Sequence, residues 1–127
     1  MDYWLKKYTN IGDLLKEVAG KLTDEDIVWL SNACAWPSKG LLIRSNKVKI
    51  SKNVEYLFTE DEHDYVRCGM ALRKKWIPTE EQLKAGLSDK SESVRDIYKM
   101  RLEKDWQNIL LKKQIKTKHK KVIRNAL

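Results

Sequence analysis

Residues 76–95 read WIPTEEQLKAGLSDKSESVR, and their punctuation decides the fold class. Pro78 breaks the chain before it, because its ring removes a backbone donor and restricts the preceding residue. Thr79 with Gln82 makes a capping box, in which the two side chains satisfy orphan backbone N–H groups, so a short helix is predicted over 80–85. Gly86 suits the left-handed residue that closes such a helix. Asp89 or Ser91 then caps a long helix from about 92 to at least 111, with Val94, Ile97, Tyr98, Leu102, Trp106, Ile109 and Leu110 on one stripe. Beyond Lys112 the pattern thins to Ile115, His119, Val122 and Ile123.

The same signals recur toward the N-terminus. Asn10 caps a helix over 11–21, whose Ile11, Leu14, Leu15, Val18 and Leu22 mark one buried face. Thr23 opens the next, over 24–36, with acids at 24–26 against the positive end of the helix dipole. That helix buries Ile27, Val28, Leu30, Cys34 and Trp36, and Pro37 stops it. Residues 41–51, LLIRSNKVKIS, read differently: Val48 and Ile50 alternate with Lys47, Lys49 and Ser51 after a polar Ser45-Asn46-Lys47 link. Period-2 alternation predicts a β-hairpin with one wet face, and a short irregular helix is the competing reading. Asn53 opens a short helix through Phe58, and Thr59 with Glu62 starts another over 60–76, with Tyr65, Val66, Gly69, Met70, Leu72 and Trp76 inward. The expected fold is mostly α: a small helical domain over 1–111 with a β-hairpin near 41–51, followed by a basic extension over 112–127.

An offset of 28 pairs Asp61 with Asp89, Val66 with Val94, Arg67 with Arg95 and Arg73 with Arg101, and Trp76 and Trp106 close the two units two residues out of register. The series Val66, Arg67, Ala71, Arg73, Trp76, Pro78, Thr79, Gln82, Leu83, Gly86, Leu87, Asp89, Val94 and Arg95 resembles the short HEAT-like helical repeats of some bacterial and phage proteins. The resemblance spans about residues 58–110 and departs from the pattern after Arg101, where no Pro-Thr follows. It implies HEAT-like helix-pair packing and a scaffold for recognition that binds proteins or, in basic members, duplex DNA, and it carries no catalytic residue over. About two units are present, so the N-terminal half must supply the packing that further repeats give a solenoid. Within the repeat, Trp76 and Trp106 read as core closers, since large aromatics are mostly buried.

Charge is unevenly placed. The 127 residues hold 26 Lys and Arg against 18 Asp and Glu, a net +8, and two segments carry the whole excess. Residues 31–54 contribute +5 with no acid, through Lys39, Arg44, Lys47, Lys49 and Lys52. Residues 107–127 contribute +7 with no acid, through Lys112, Lys113, Lys116, Lys118, Lys120, Lys121 and Arg124. Such blocks on a near-neutral body point to an anionic partner. Five Trp, five Tyr and an ample aliphatic set argue against intrinsic disorder. No uncharged run approaches the ~20 residues of a membrane span, and no basic start leads into an apolar secretory stretch. Two cysteines make no disulfide framework, so a reduced, cytoplasmic setting is expected.

No chemistry-bearing constellation stands out. Cys34, His63, Cys68 and His119 lack the paired spacing of a zinc site, no glycine-rich phosphate loop is present, and the acids Glu60, Asp61, Glu62 and Asp64 read as a helix start. Neither enzymatic activity nor a cofactor is expected. The expected function is a binding module for an anionic macromolecule, first of all nucleic acid. Its expected contacts are Lys47 and Lys49, then Arg67, Arg73, Lys74, Lys75, Arg95 and Arg101, and the tail residues Lys112, Lys113, Lys116, Lys118, Lys120, Lys121 and Arg124. The alternative is a protein-interaction protein, such as a phage or mobile-element inhibitor that meets an acidic surface of a host nucleic-acid-handling complex. Membrane attachment through the tail is disfavoured by its few large apolar residues.

Overall fold

Asn10 starts the first helix as its spacing predicts: its side-chain oxygen accepts from the Asp13 N–H at 2.9 Å. The computed structural model describes residues 10–106. Its elements are α1 (Ile11–Val18) with a 3-10 turn (Ala19–Lys21), α2 (Asp24–Ala33), α3 (Trp36–Arg44), α4 (Tyr56–Thr59), α5 (Asp64–Ala71), α6 (Glu80–Leu87) and α7 (Glu92–Arg101), then one π turn (Leu102–Trp106). The mostly helical class holds, with no strand among the described residues. The chain divides into two compact units, Met1–Pro78 and Thr79–Leu127.

The first unit is built on α3 and α5. Leu42, Ile43, Phe58, Val66 and Met70 are all at 0 % exposure, with Leu30, Leu14 and Val18 packed into the same cluster. The two helices run parallel: Gly40 faces Tyr65, Ile43 and Arg44 lie against Gly69, and the Ile43 carbonyl meets Arg73. Gly69 permits the approach, since a Cβ there would lie 2.5 Å from the Ile43 Cγ2. In the second unit α6 and α7 pack through the turn 88–91, and Tyr98 sits edge-on to Trp106 with ring centroids 5.5 Å apart.

Caps acting over three residues form at Asn10, Thr23 and Thr79, whereas the Thr59–Glu62 box does not, since Thr59 ends α4 and His63 precedes α5. Both Thr23–Asp26 and Thr79–Gln82 make complete capping boxes. Thr79→Ala is therefore expected to cost about 1 kcal/mol, measured by chemical denaturation, since it removes the acceptor for the Gln82 N–H.

Four expectations are corrected. The hairpin over 41–51 does not form: α3 runs through Arg44, and 45–54 is turn and irregular chain. The alternation still sorts burial, with Val48 inside and Lys47 and Lys49 outside, but the Ser45 and Val48 carbonyls accept from Arg73 where a hairpin would use a partner strand. Pro37 begins a helix instead of ending one: α2 stops at Ala33, and Pro37 occupies the first turn of α3, where its missing N–H has no intrahelical partner to lose. Trp36 is consequently 45 % exposed. The helix over 60–76 is shorter, Asp64–Ala71, because Thr59 closes α4 and the chain turns at Asp61, whose Oδ1 accepts from the His63 N–H at 2.9 Å. Gly86 is an interior helical residue, and no described glycine has positive φ. Of the helix expected over 92–111, residues 92–101 form α7 and 102–106 the π turn, and 107–111 and the extension 112–127 lie outside the described residues.

Candidate nucleic-acid interface

Arg73 follows α5 after one residue, and its fork reaches far back along the chain. One nitrogen donates to the Ile43 carbonyl at 2.7 Å and the Ser45 carbonyl at 3.0 Å, and the other donates to the Val48 carbonyl. The last carbonyls of a helix have no intrahelical donor, and a guanidinium supplies several in one plane. Burial pulls the Arg73 guanidinium below its ordinary value, since desolvation disfavours its charged form. This clasp fixes segment 43–48 beside segment 73–75, and so brings Lys47 and Lys49 to the same end of the helix pair as Lys74 and Lys75, all four exposed. Because α3 and α5 are parallel, both helix C-termini lie at this end, and the lysines also face their partial negative charge.

The other arginines named from the sequence do internal work. Arg67, 6 % exposed, donates to the Asp61 and Glu62 carbonyls at 2.7 and 3.0 Å. Arg95 donates to the Asp89 carbonyl at 2.6 Å. Since the Asp89 Oδ1 accepts from the Ser91 N–H as the Asp61 Oδ1 does from His63, the 28-residue offset repeats one local device: an aspartate turn, a helix start, and an arginine folding back onto that turn. These arginines thus brace turns within their own units. Arg101, 3 % exposed, bonds Asp105 at 3.0 Å and lies 4.7 Å from the Trp106 ring centroid. Lys112, Lys113, Lys116, Lys118, Lys120, Lys121 and Arg124 lie outside the described residues.

At the opposite end of the α3–α5 pair is a group the sequence reading did not assemble. The Trp36 ring lies 5.2 Å from His63 and 5.6 Å from Tyr65, and the Arg44 guanidinium sits 3.7 Å from the Tyr65 centroid. Lys39 pairs with Asp61 at 2.6 Å beneath it, with both side chains 12 % exposed. The signal available was Pro37: read as a first-turn residue, it would have put Trp36 at the start of α3 and outside the core of α2.

No three or more His, Cys, Asp or Glu side chains gather in metal-binding geometry among the described residues. Burial pushes the Cys34 thiol up, with Lys39 opposing, so the reactive thiolate is disfavoured. No described helix is long and apolar enough to cross a membrane. No protein-family model matches the chain, and neither a curated protein nor a solved structure resembles it significantly.

Proposed function

We propose that the protein is a non-catalytic binding module for nucleic acid, on a HEAT-like helical scaffold, and that Lys47, Lys49, Lys74 and Lys75 form its folded contact surface. The basic tail adds Lys112, Lys113, Lys116, Lys118, Lys120, Lys121 and Arg124. The observation that carries this reading is the Arg73 clasp, which makes one basic edge from two loops about 25 residues apart in sequence. Exposed lysines at a rigid edge suit phosphates, which need cations in register but no base-specific geometry. The four repeat arginines have structural employment, so the proposal assigns them no phosphate.

The test is fluorescence anisotropy of a labelled ~25 bp duplex with the full chain and with a Lys47→Gln, Lys49→Gln, Lys74→Gln, Lys75→Gln variant. Affinity at ~0.1 M salt is expected to fall at least about 30-fold in the variant. An unchanged affinity would remove this edge from the interface. The exposed Trp36–Tyr65 group favours a second reading, a protein-interaction protein such as an inhibitor of a nucleic-acid-handling complex.

A further inference from the structure

We propose that Trp36, His63 and Tyr65, with the exposed Glu60 and Glu62 of the same 60–64 segment as His63, dock a cationic, arginine-bearing segment of a partner protein. The site deepens the protein-interaction reading and stands apart from the lysine edge. Trp36 is the first residue of α3, and 45 % of it is exposed, which is large for a side chain whose ring could have entered the core. Its ring meets Tyr65 at an interplanar angle of 75°, so the two aromatic planes make a corner instead of a flat lid. The molecule already places a cation here, since the Arg44 guanidinium covers one Tyr65 face at 3.7 Å.

Charge selects the occupant. Segment 60–64, which carries His63 against Trp36, contains Glu60, Asp61, Glu62 and Asp64. Asp61 is matched by Lys39 at 2.6 Å, which leaves the exposed Glu60 and Glu62 as negative charge on the segment that carries His63. Aromatic faces beside carboxylates suit a guanidinium, which stacks its plane on a ring, buries its stem and donates to an acid. A phosphate backbone is repelled by the same acids. The rise along α3 from Trp36 to Arg44 is about 12 Å, which sets Trp36 apart from the lysine end by more than a Debye length of ~8 Å at physiological salt.

The probe is a fluorescein-labelled peptide of alternating Arg and Gly, with Lys-Gly and Glu-Gly peptides for comparison, titrated against the full chain. Because the chain carries +8, binding of a cationic peptide would report local and not global attraction. The Arg-Gly peptide is expected to bind more tightly than Lys-Gly. Trp36→Ala should weaken it about 10-fold, Trp36→Phe less than ~3-fold, and Glu60→Gln with Glu62→Gln about 5-fold, with duplex binding unchanged in all. The two Glu→Gln changes lie at exposed positions, so their effect reads binding even where Trp36→Ala perturbs folding. The proposal fails if Arg-Gly does not bind, if it binds the Glu→Gln variant and Trp36→Ala as tightly as the native chain, or if Trp36→Ala weakens a single-stranded oligonucleotide instead, which would make the ring a base-stacking platform. Loss of duplex binding in the lysine variant, or its absence, leaves these outcomes unaffected.

Discussion

Arg73→Ala is expected to lower the unfolding free energy by about 3 kcal/mol, read from urea denaturation followed by tryptophan fluorescence. The substitution removes the donor from the Ile43, Ser45 and Val48 carbonyls, and although Ser45 still accepts from the Val48 N–H at 3.3 Å, the Ile43 and Val48 carbonyls belong to fully buried residues. Each charge-assisted bond contributes about 1.5–3 kcal/mol, and solvent reaching a half-buried site recovers part of the sum. Arg73→Lys is expected to restore less than half, because one ammonium cannot span three carbonyls on both arms of a fork. The same variant should weaken duplex binding more than removal of one surface charge does, since segment 43–48 would no longer be fixed beside Lys74 and Lys75. Stability and binding falling together, with Lys a poor substitute, would identify Arg73 as the part that positions the edge.

Gly86→Ala is the second large effect, a loss of about 2–3 kcal/mol and a clear drop in thermal midpoint by circular dichroism. Helix propensity alone predicts the opposite sign, a gain of up to about 1 kcal/mol. Packing decides, because the new Cβ would fall 2.2 Å from the Tyr98 ring, and Tyr98 is 4 % exposed and held against Trp106. Gly40→Ala is the informative comparison. Its Cβ would lie 2.1 Å from the Tyr65 ring, an equal clash on paper. Tyr65 is 36 % exposed and can swing into solvent, so the expected cost is below about 1.5 kcal/mol. If the two substitutions cost the same, the burial of the tyrosine is not what sets the penalty.

Local signals made three helix starts legible, whereas the equally local Thr59–Glu62 pair misled, because Thr59 ends α4. Asn10, Thr23 and Thr79 act on residues three positions away, and each caps as its spacing predicts. In two misread elements a distant residue outweighs the local pattern. Val48 and Ile50 alternate as a strand does, but the donor for that loop is Arg73, about 25 residues on. Gly86 looks like a helix end until Tyr98 is placed against it. Pro37 reads equally as a stop or a start, and the choice moved Trp36 from the core to the surface. The 28-residue repeat was visible in the sequence, but its physical content, an arginine returning to its own aspartate turn, is a matter of the fold that the spacing alone does not show. In the candidate interface, the lysines were recognised as basic segments, whereas their meeting at one edge depends on the parallel run of α3 and α5, which no local pattern encodes.

The most direct test of the proposed function is the salt dependence of duplex affinity, compared between the native chain and the Lys47→Gln, Lys49→Gln, Lys74→Gln, Lys75→Gln variant. Each phosphate neutralised adds about 0.9 to the magnitude of the slope of log affinity against log salt. If the edge engages two to four phosphates, the slope of the variant should be shallower by about 2–4, with an unchanged thermal midpoint. Parallel slopes in the two proteins, whatever their absolute affinities, would contradict the account, because they would mean that these lysines release no counterions and touch no phosphate.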